Sequence, residues 1–198
     1  MNSKGIFIVL EGIDGCGKST QAARLADFLE NSTGKKTVRT AEPFILRELI
    51  LGRKDLSPMS ELLLFLADRA EHVNKIILPN LEAGNILICE RYSDSTLAYQ
   101  SGGHKIEFSQ VKNLISACGF PEPDAKIFLD VNPELAFERV KVRNNKNDKF
   151  EAEGLEFMKK VSDFYKNLPG FIKISCGSLN EDEVFEKIIS ALKSEEFF

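Results

Sequence analysis

The chain has 198 residues with a formal net charge of −4 at pH 7, and 43% of its residues are hydrophobic. This length and composition suit one domain with a buried core over residues 1–198, and they exclude a disordered chain. The acidic balance does not indicate a face for polymeric nucleic acid, although a small anionic ligand can still bind in a locally positive pocket.

Three simple features restrict the environment and the metal sites that we expect for the chain. The apolar run IFIVL at residues 6–10 is too short for a signal peptide or a membrane span, so no membrane association is expected. His72 and His104 are too few and too far apart to suggest a metal site, and we expect solvated polar roles for them. The scattered cysteines favour neither zinc nor a disulfide framework and fit a reduced, cytoplasmic setting. These cysteines are Cys16, Cys89, Cys118 and Cys176.

Short apolar runs alternate with helical patterns along the chain. The predicted strands are residues 5–10, 36–41, 85–90, 125–131 and 170–175. The predicted helices are residues 18–32, 59–83, 108–118, 133–145, 153–167 and 180–194. Asn132 before Pro133, and Asn180 before three acidic residues, are typical helix starts. This alternation predicts an α/β fold, a five-stranded parallel sheet flanked by helices on both faces.

The segment EGIDGCGKST at residues 11–20 lies between the first predicted strand and the first predicted helix. Its glycines and Lys18-Ser19 fit the phosphate-loop pattern G-x-x-x-x-G-K-[ST]. In such loops the backbone N–H groups surround phosphates, the lysine reaches the β- and γ-phosphates, and the hydroxyl binds Mg²⁺. We therefore predict a nucleotide site with Mg²⁺, and read Cys16 as a small filler rather than a reactive thiol. The predicted nucleotide contacts are Gly12, Ile13, Asp14, Gly15, Cys16, Gly17, Lys18, Ser19 and Thr20.

Charged residues elsewhere suggest what happens to the phosphate. Glu90, at the end of the third predicted strand, stands where a Mg²⁺ partner would lie. The adjacent Arg91 could form a structural ion pair or clamp a second phosphate. The basic residues of segment 138–151 could be a solvated helix end or a mobile flap that excludes water. The N-K-x-D match at 145–148 resembles a GTPase motif, but it does not follow a buried strand.

Taken together, the motifs of the chain resemble those of the thymidylate kinase (dTMP kinase) family. The resemblance covers nearly the whole chain, and the run ERYSDSTLAYQ within residues 90–103 is the most specific part of it. The other motifs are residues 11–20, Glu42-Pro43, LLLFLADRAEHV at 62–73, PDAKIFLDV at 123–131 and DKFE at 148–151. The resemblance implies a nucleoside monophosphate kinase fold and transfer of the γ-phosphoryl group from ATP to dTMP. It also implies a homodimer, for which helix 59–83 could supply an interface instead of being wholly a core helix.

The resemblance also implies a set of residues for the base and sugar of dTMP. Phe65 would stack on thymine, and Arg69 would reach a base carbonyl. Thr96 would read the pyrimidine edge, and Gln100 would border the base. Tyr99 would lie under the deoxyribose and disfavour a 2′-hydroxyl.

A second set implied by the resemblance handles the phosphates. Asp14 would approach the 3′-hydroxyl and phosphate side of dTMP, and Arg91 would bridge the two phosphates. Glu42 and Arg47 would also contact dTMP, with Arg47 holding its phosphate. Ser19 and Glu90 would serve the metal, and Arg139 would contribute to ATP binding. In a lid around residues 143–152, Arg143 and Lys149 match basic family positions. The implied catalytic set is Asp14, Lys18, Arg91, Arg143 and Lys149.

The sequence departs from the family pattern in four places. Ala41 replaces an arginine before Glu42-Pro43, and Phe44-Ile45 replaces two glycines, so Arg39 or Arg47 would have to compensate. Glu90 replaces an aspartate, and Lys149 stands where an arginine is common. Gly15 occupies a position at which some members carry a catalytic arginine, which implies that the lid supplies the charge. Another P-loop kinase for a nucleoside or nucleotide, and a regulatory module without turnover, remain alternatives.

Overall fold

The computed structural model describes residues 4–53, 55–143, 153–177, 179–195 and 197, with the backbone alone at residue 143. Its five strands form one parallel sheet in the order β2-β3-β1-β4-β5. The strands are β1 (Ile6–Glu11), β2 (Thr37–Ala41), β3 (Ile86–Glu90), β4 (Ala125–Asp130) and β5 (Ile172–Ser175). All five predicted strands are confirmed, and so is the parallel α/β class.

Helices connect the strands at the predicted places. They are α1 (Lys18–Thr33), α2 (Arg47–Gly52), α3 (Pro58–His72), α4 (Leu78–Glu82), α5 (Ser93–Thr96), α6 (Phe108–Ala117), α7 (Pro133–Arg143), α8 (Leu155–Asn167) and α9 (Glu181–Ser194). A π-helical segment, Val73–Ile77, joins α3 to α4, so predicted helix 59–83 is one continuous helical stretch. A second one, Leu97–Gly103, follows α5.

Helix α2 and the helical stretch from α5 to Gly103 were not predicted. Both are too short or too irregular to show an apolar period of 3.6 residues. The two helix starts read from asparagine are confirmed. Oδ1 of Asn132 accepts from the backbone N–H of Glu134 at 2.8 Å. Asn180 forms a capping box with Glu183 at the start of α9.

Alternate residues of β1 pack into different hydrophobic clusters, because successive side chains of a strand point to opposite faces. Ile8 and Leu10 pack with residues of α1, α8 and α9. Phe7 and Val9 pack with Val73 and the rest of the helical stretch after α3. Helices therefore cover both faces of the central strand, as predicted.

Two predictions about the organisation of the chain stay predictions. These are the single domain over 1–198 and the lid around 143–152. Lid residues 144–152, which include Lys149, lie outside the described residues, and so does the side chain of Arg143. Within the described ranges, no helix is both long and apolar enough to cross a membrane.

Candidate active site

The carboxyl ends of the central parallel strands bring the predicted site residues to one edge of the sheet. Glu90, the last residue of β3, lies in register with Leu10 of β1 and Ala41 of β2. The phosphate loop follows β1 directly. Ligand sites of open parallel sheets are typically found at this edge, outside the ends of the strands.

The phosphate loop and α1 have the geometry that binds anions in other proteins. Gly17 precedes α1 with a φ of 98°, in the left-handed region, and it has no side chain to cap the helix. The first N–H groups of α1 therefore remain available to phosphate oxygens. Nζ of the buried Lys18 donates to the carbonyl oxygens of Gly12 and Ile13, both at 2.9 Å, which keeps the ammonium at the loop.

Ser19 and Glu90 meet at the end of β3 next to this loop. Oγ of Ser19 donates to Oε2 of Glu90 at 2.6 Å, and Arg39 lies 3.8 Å from the other carboxylate oxygen. Hydroxyl and carboxylate oxygens are hard ligands of the kind that Mg²⁺ takes together with substrate phosphates and water. The donor set therefore fits Mg²⁺. The described residues contain no group of three or more histidine, cysteine or carboxylate side chains that could hold a metal by themselves.

Arg91 and Asp14 form the centre of the site. Nη2 of Arg91 donates to Oδ1 of Asp14 at 2.7 Å and to the hydroxyl of Tyr99 at 3.0 Å, and that hydroxyl donates to Oδ2 of Asp14 at 3.1 Å. Nη1 of Arg91 donates to the carbonyl of Gly12 at 3.1 Å. Burial raises the pKa of Asp14, but the charges of Arg91 and Lys18 outweigh it and hold that pKa well below its usual range. Asp14 is therefore a carboxylate, and Arg91 is a positioned cation.

The backbone of Arg91 is also unusual. Its φ is 69°, in the left-handed region that side chains other than glycine rarely adopt. Glu11 supports this turn from behind, because its buried carboxylate accepts from the N–H of Tyr92 at 2.8 Å and from Oγ of Ser95 at 2.5 Å. The hydroxyl of Tyr165 donates to the same carboxylate at 2.8 Å. Burial raises the pKa of Glu11 in spite of these hydrogen bonds. Such strain is typical of functional positions that their surroundings hold in place.

A cleft lies between α3 and the stretch that begins with α5. Its lining includes Phe65, Arg69, Thr96 and Tyr99. Arg69 is almost fully buried, and its Nε donates to Oε2 of Glu42 at 2.8 Å while Nη2 donates to Oγ1 of Thr96 at 2.8 Å. Nη1 of Arg69 is buried and has no hydrogen-bond partner within the described ranges. A buried donor of this kind is costly unless a ligand completes it.

Gln100 lies apart from the residues that line this cleft. It is fully buried, and its Nε2 donates to Oε1 of the equally buried Glu61 at 2.7 Å. The structure thus brings together Phe65, Arg69, Thr96 and Tyr99, while Gln100 is not among the residues that line the cleft.

A second cleft surrounds the phosphate loop. The residues that line both clefts are Asp14, Glu42, Arg47 and Arg91. Ala41 and Arg139 line the second cleft, and Nη1 of Arg139 lies 3.4 Å from the carbonyl of Gly15. Two adjacent binding spaces with two arginines in their common wall can hold two phosphorylated ligands with the phosphates facing each other.

Gly15 lies where α7 packs directly against the phosphate loop. Its φ is 80°, and a Cβ atom at this position would lie 2.3 Å from the carbonyl oxygen of Ala136. No side chain can be accommodated there without moving α7. The packing of α7 against the loop therefore leaves no space for an arginine at position 15.

The prediction of solvated histidines is wrong. His72 is fully buried, with Nδ1 at 3.0 Å from Oε1 of Glu42 and Nε2 at 2.7 Å from Oγ1 of Thr40. His104 is also mostly covered, 3.2 Å from Oε1 of Glu61. A buried imidazole can also link polar groups of different elements, and the number and spacing of histidines in a sequence do not show this role.

Several site residues were not predicted at all. Glu11, Asp68 and His72 bind partners that are distant in the sequence, so no local pattern marks them. Residues after β5 also line the second cleft, and their position after a parallel strand was a signal that could have found them. They are Cys176, Leu179, Asn180, Glu181 and Val184. The four cysteines are free in the structure.

Comparison with known proteins gives a consistent result. A family model described as thymidylate kinase matches residues 10–188. A thymidylate kinase of Prochlorococcus marinus (strain AS9601) is 46% identical over 177 residues, which cover 82% of this chain and 82% of the relative. One of Synechococcus sp. (strain JA-3-3Ab) is 44% identical, covering 79% and 78%. One of Pelobacter propionicus is 38% identical over 205 residues, covering 94% and 93%.

Proposed function

Since the chain belongs to the thymidylate kinase family, we propose that it transfers the γ-phosphoryl group of ATP to dTMP and forms dTDP. The observation that carries the proposal is the wall between the two clefts, made by Asp14, Glu42, Arg47 and Arg91. An enzyme that only hydrolysed ATP would have no need of a second cleft at this place. A transferase needs the acceptor phosphate beside the donor phosphate.

The acceptor cleft suits a pyrimidine monophosphate. Phe65 offers an aromatic face, and the guanidinium of Arg69, which also lines the cleft, is a donor that suits a base carbonyl. Tyr99 is held by its hydrogen bonds to Asp14 and Arg91, so its ring has a defined position beside the sugar site. These features support thymine and deoxyribose as the groups bound there.

The reaction requires position and charge rather than a protein nucleophile. An oxygen of the dTMP phosphate attacks the γ-phosphorus of ATP, and the bond from that phosphorus to the leaving ADP oxygen breaks. Lys18 and the N–H groups of the loop hold the donor phosphates. Arg91, held by Asp14, stabilises negative charge between donor and acceptor. We assign Arg139, Arg143 and Lys149 to the nucleotide and lid side of the same site.

Three further assignments belong to the same proposal. Mg²⁺ would be held by Ser19, with Glu90 beside it, and it would neutralise charge on the ATP phosphates. The chain would act as a homodimer, to which the exposed Leu63 of α3 could contribute apolar surface. Its location would be cytoplasmic, where ATP and dTMP occur and where the free cysteines stay reduced.

A screen of purified protein with ATP and Mg²⁺ tests the function. The acceptors are dTMP, dUMP, dCMP, dGMP and thymidine, and ADP formation is the measurement. We expect the highest kcat/KM with dTMP. A higher value with another acceptor would favour a different P-loop kinase, to which Ala41 and Phe44 in the acceptor loop give some support. Binding of dTMP and ATP without ADP formation would favour a regulatory module.

A further inference from the structure

The segment that follows Glu42-Pro43 is held by one buried carboxylate from α3. Oδ2 of Asp68 accepts from the backbone N–H of Phe44 at 2.5 Å. Oδ1 accepts from the N–H groups of Ile45 at 2.8 Å and Leu46 at 2.7 Å. Asp68 is 1% exposed, and it is not among the residues that line either cleft. Three charge-assisted hydrogen bonds to consecutive N–H groups fix the backbone strongly.

This carboxylate fixes the start of α2, where Arg47 is the first residue. The N–H of Ile50 donates to the carbonyl of Leu46 at 2.9 Å, so the helix begins at the residue that Asp68 holds. The ring of Phe44 stacks on His72 at 4.9 Å with an angle of 29°, which anchors the segment a second time. The backbone of Arg47 is therefore defined although its side chain is exposed.

Arg47 can supply the positive charge that is missing at Ala41, and Arg39 is not placed to do so. Ala41 has no charge, and Arg39 is paired with Glu90 at 3.8 Å and lines neither cleft. Arg47 lines both clefts, as does Arg91. A long side chain loses conformational entropy when it binds a phosphate, and a fixed backbone reduces that loss.

We propose that Asp68 is a positioning residue for the acceptor phosphate, because it holds the 44–46 backbone and so directs Arg47 to the wall between the clefts. The proposal rests on the proposed function, since it takes the acceptor to be a nucleoside monophosphate. Asp68 acts through Arg47 and does not touch the substrate. The neighbouring Arg69 binds Glu42 and faces the base side, so two consecutive residues of α3 serve the two ends of one substrate.

The test compares two ligands that differ only in the phosphate. Dissociation constants of dTMP and of thymidine are measured by calorimetry for the wild type and for Asp68→Asn. The dissociation constant of thymidine divided by that of dTMP gives the gain in affinity that the phosphate group provides. We expect this ratio to fall about tenfold in Asp68→Asn, the loss of roughly one charge-assisted contact. Thymidine affinity should change less than about twofold, because the base side keeps its contacts.

Two comparisons separate positioning from general damage. Asp163→Asn removes an exposed carboxylate of α8 and should keep the wild-type ratio. Arg47→Met should lower the ratio as Asp68→Asn does, and the double variant should lose little more than either one, because both act on one contact.

If Asp68→Asn does not fold, Ile45→Pro removes one of the three donated N–H groups, and Ile45→Ala keeps it. The ratio should then fall with proline and not with alanine.

Several outcomes would contradict the proposed role of Asp68. Equal weakening of thymidine and dTMP, an unchanged ratio, or additive losses in the double variant would overturn the role of Asp68. So would a wild type that binds dTMP no better than thymidine. A wild type that prefers dTMP and loses the preference in Asp68→Asn, yet forms no ADP, would count against the proposed function alone.

Discussion

The carboxylate of Asp14 and the guanidinium of Arg91 meet at 2.7 Å between the two clefts. Asp14 comes from the phosphate loop and Arg91 from the turn after β3, so this contact joins the proposed donor side of the site to the proposed acceptor side. Both groups are held by a third, since the hydroxyl of Tyr99 bonds to each. A change at either residue should therefore affect stability as well as catalysis.

Replacing Asp14 by asparagine should reduce stability in a pH-dependent way. The charges of Arg91 and Lys18 hold the pKa of Asp14 well below its usual value of about 4. A lowered carboxyl pKa stabilises the fold above that usual value, and the stabilisation is lost as pH falls through the lowered pKa. Urea unfolding should thus show Asp14→Asn less stable than the wild type at pH 7, with the difference narrowing below about pH 4. Asp27→Asn, at an exposed position of α1, is the control, and a difference that did not vary with pH would contradict the assignment.

Replacing Gly15 by alanine should be far more harmful than the same change at Gly34. Both glycines have positive φ, 80° and 67°, so both changes carry a backbone cost of about 1–2 kcal/mol. At Gly34 nothing lies within 4 Å of the added Cβ, whereas at Gly15 it would lie 2.3 Å from a carbonyl oxygen of α7. We expect Gly15→Ala to lower the free energy of unfolding by at least about 3 kcal/mol and to weaken ATP binding. Chemical unfolding and ATP titration measure both, and equal losses for the two variants would refute the close packing of α7.

Removing the ammonium of Lys18 should abolish transfer without abolishing acceptor binding. Lys18 is held at the phosphate loop by two carbonyls, on the donor side of Asp14. Lys18→Ala should lower kcat at least about 100-fold, because a positioned charge on the transferred group acts in the transition state. The dissociation constant of dTMP should change less than about threefold. Lys36→Ala, at an exposed position before β2, should keep wild-type turnover, and transfer by Lys18→Ala at the wild-type rate would refute the donor assignment.

The role of the lid can be tested by enzyme kinetics. Residues 144–152 and the side chain of Arg143 lie outside the described part of the chain. If the lid supplies the charge that Gly15 cannot carry, Arg143→Ala and Lys149→Ala should each lower kcat more than they weaken dTMP binding. A reduction of kcat of about tenfold to 100-fold is expected for one lost cation. Lys166→Ala of α8 is the control and should keep wild-type kcat, because that side chain lies outside segment 138–151, is exposed and is paired with Asp163 at 3.5 Å. A larger effect on dTMP affinity than on kcat would place the lid on the acceptor.

Much of the fold could be predicted from local patterns. All five strand runs are found. The three central ones, 5–10, 85–90 and 125–131, are mostly buried apolar runs, as strands covered on both faces need to be. The edge strands at 36–41 and 170–175 are found too, although both are partly exposed. Helix α2 and the π-helical segment at Leu97–Gly103 could not be predicted in this way. The start of α2 follows from the contacts of Asp68 with residues 44–46, which no local period reports.

Part of the site could also be predicted from sequence, and part could not. The motif residues Lys18, Ser19 and Glu90 come together as strand ends in a parallel sheet must. His72 was misread, because nothing next to it in the sequence shows that Glu42 and Thr40 surround it. The sequence left open whether Arg39 or Arg47 replaces the arginine missing at Ala41. Arg47 lines both clefts and Arg39 lines neither, which favours Arg47.

By itself, the sequence determined the phosphate loop, the alternation of strands and helices, and the family, since these depend on residue types at short spacing. Only the tertiary structure decided that Asp14 and Arg91 stand in one wall between two clefts. It also decided that Asp68 holds the segment before Arg47 and that α7 leaves no room at Gly15. Each of these depends on where distant backbone segments pack against one another, and that is set by the burial of the whole core rather than by any local run of residues.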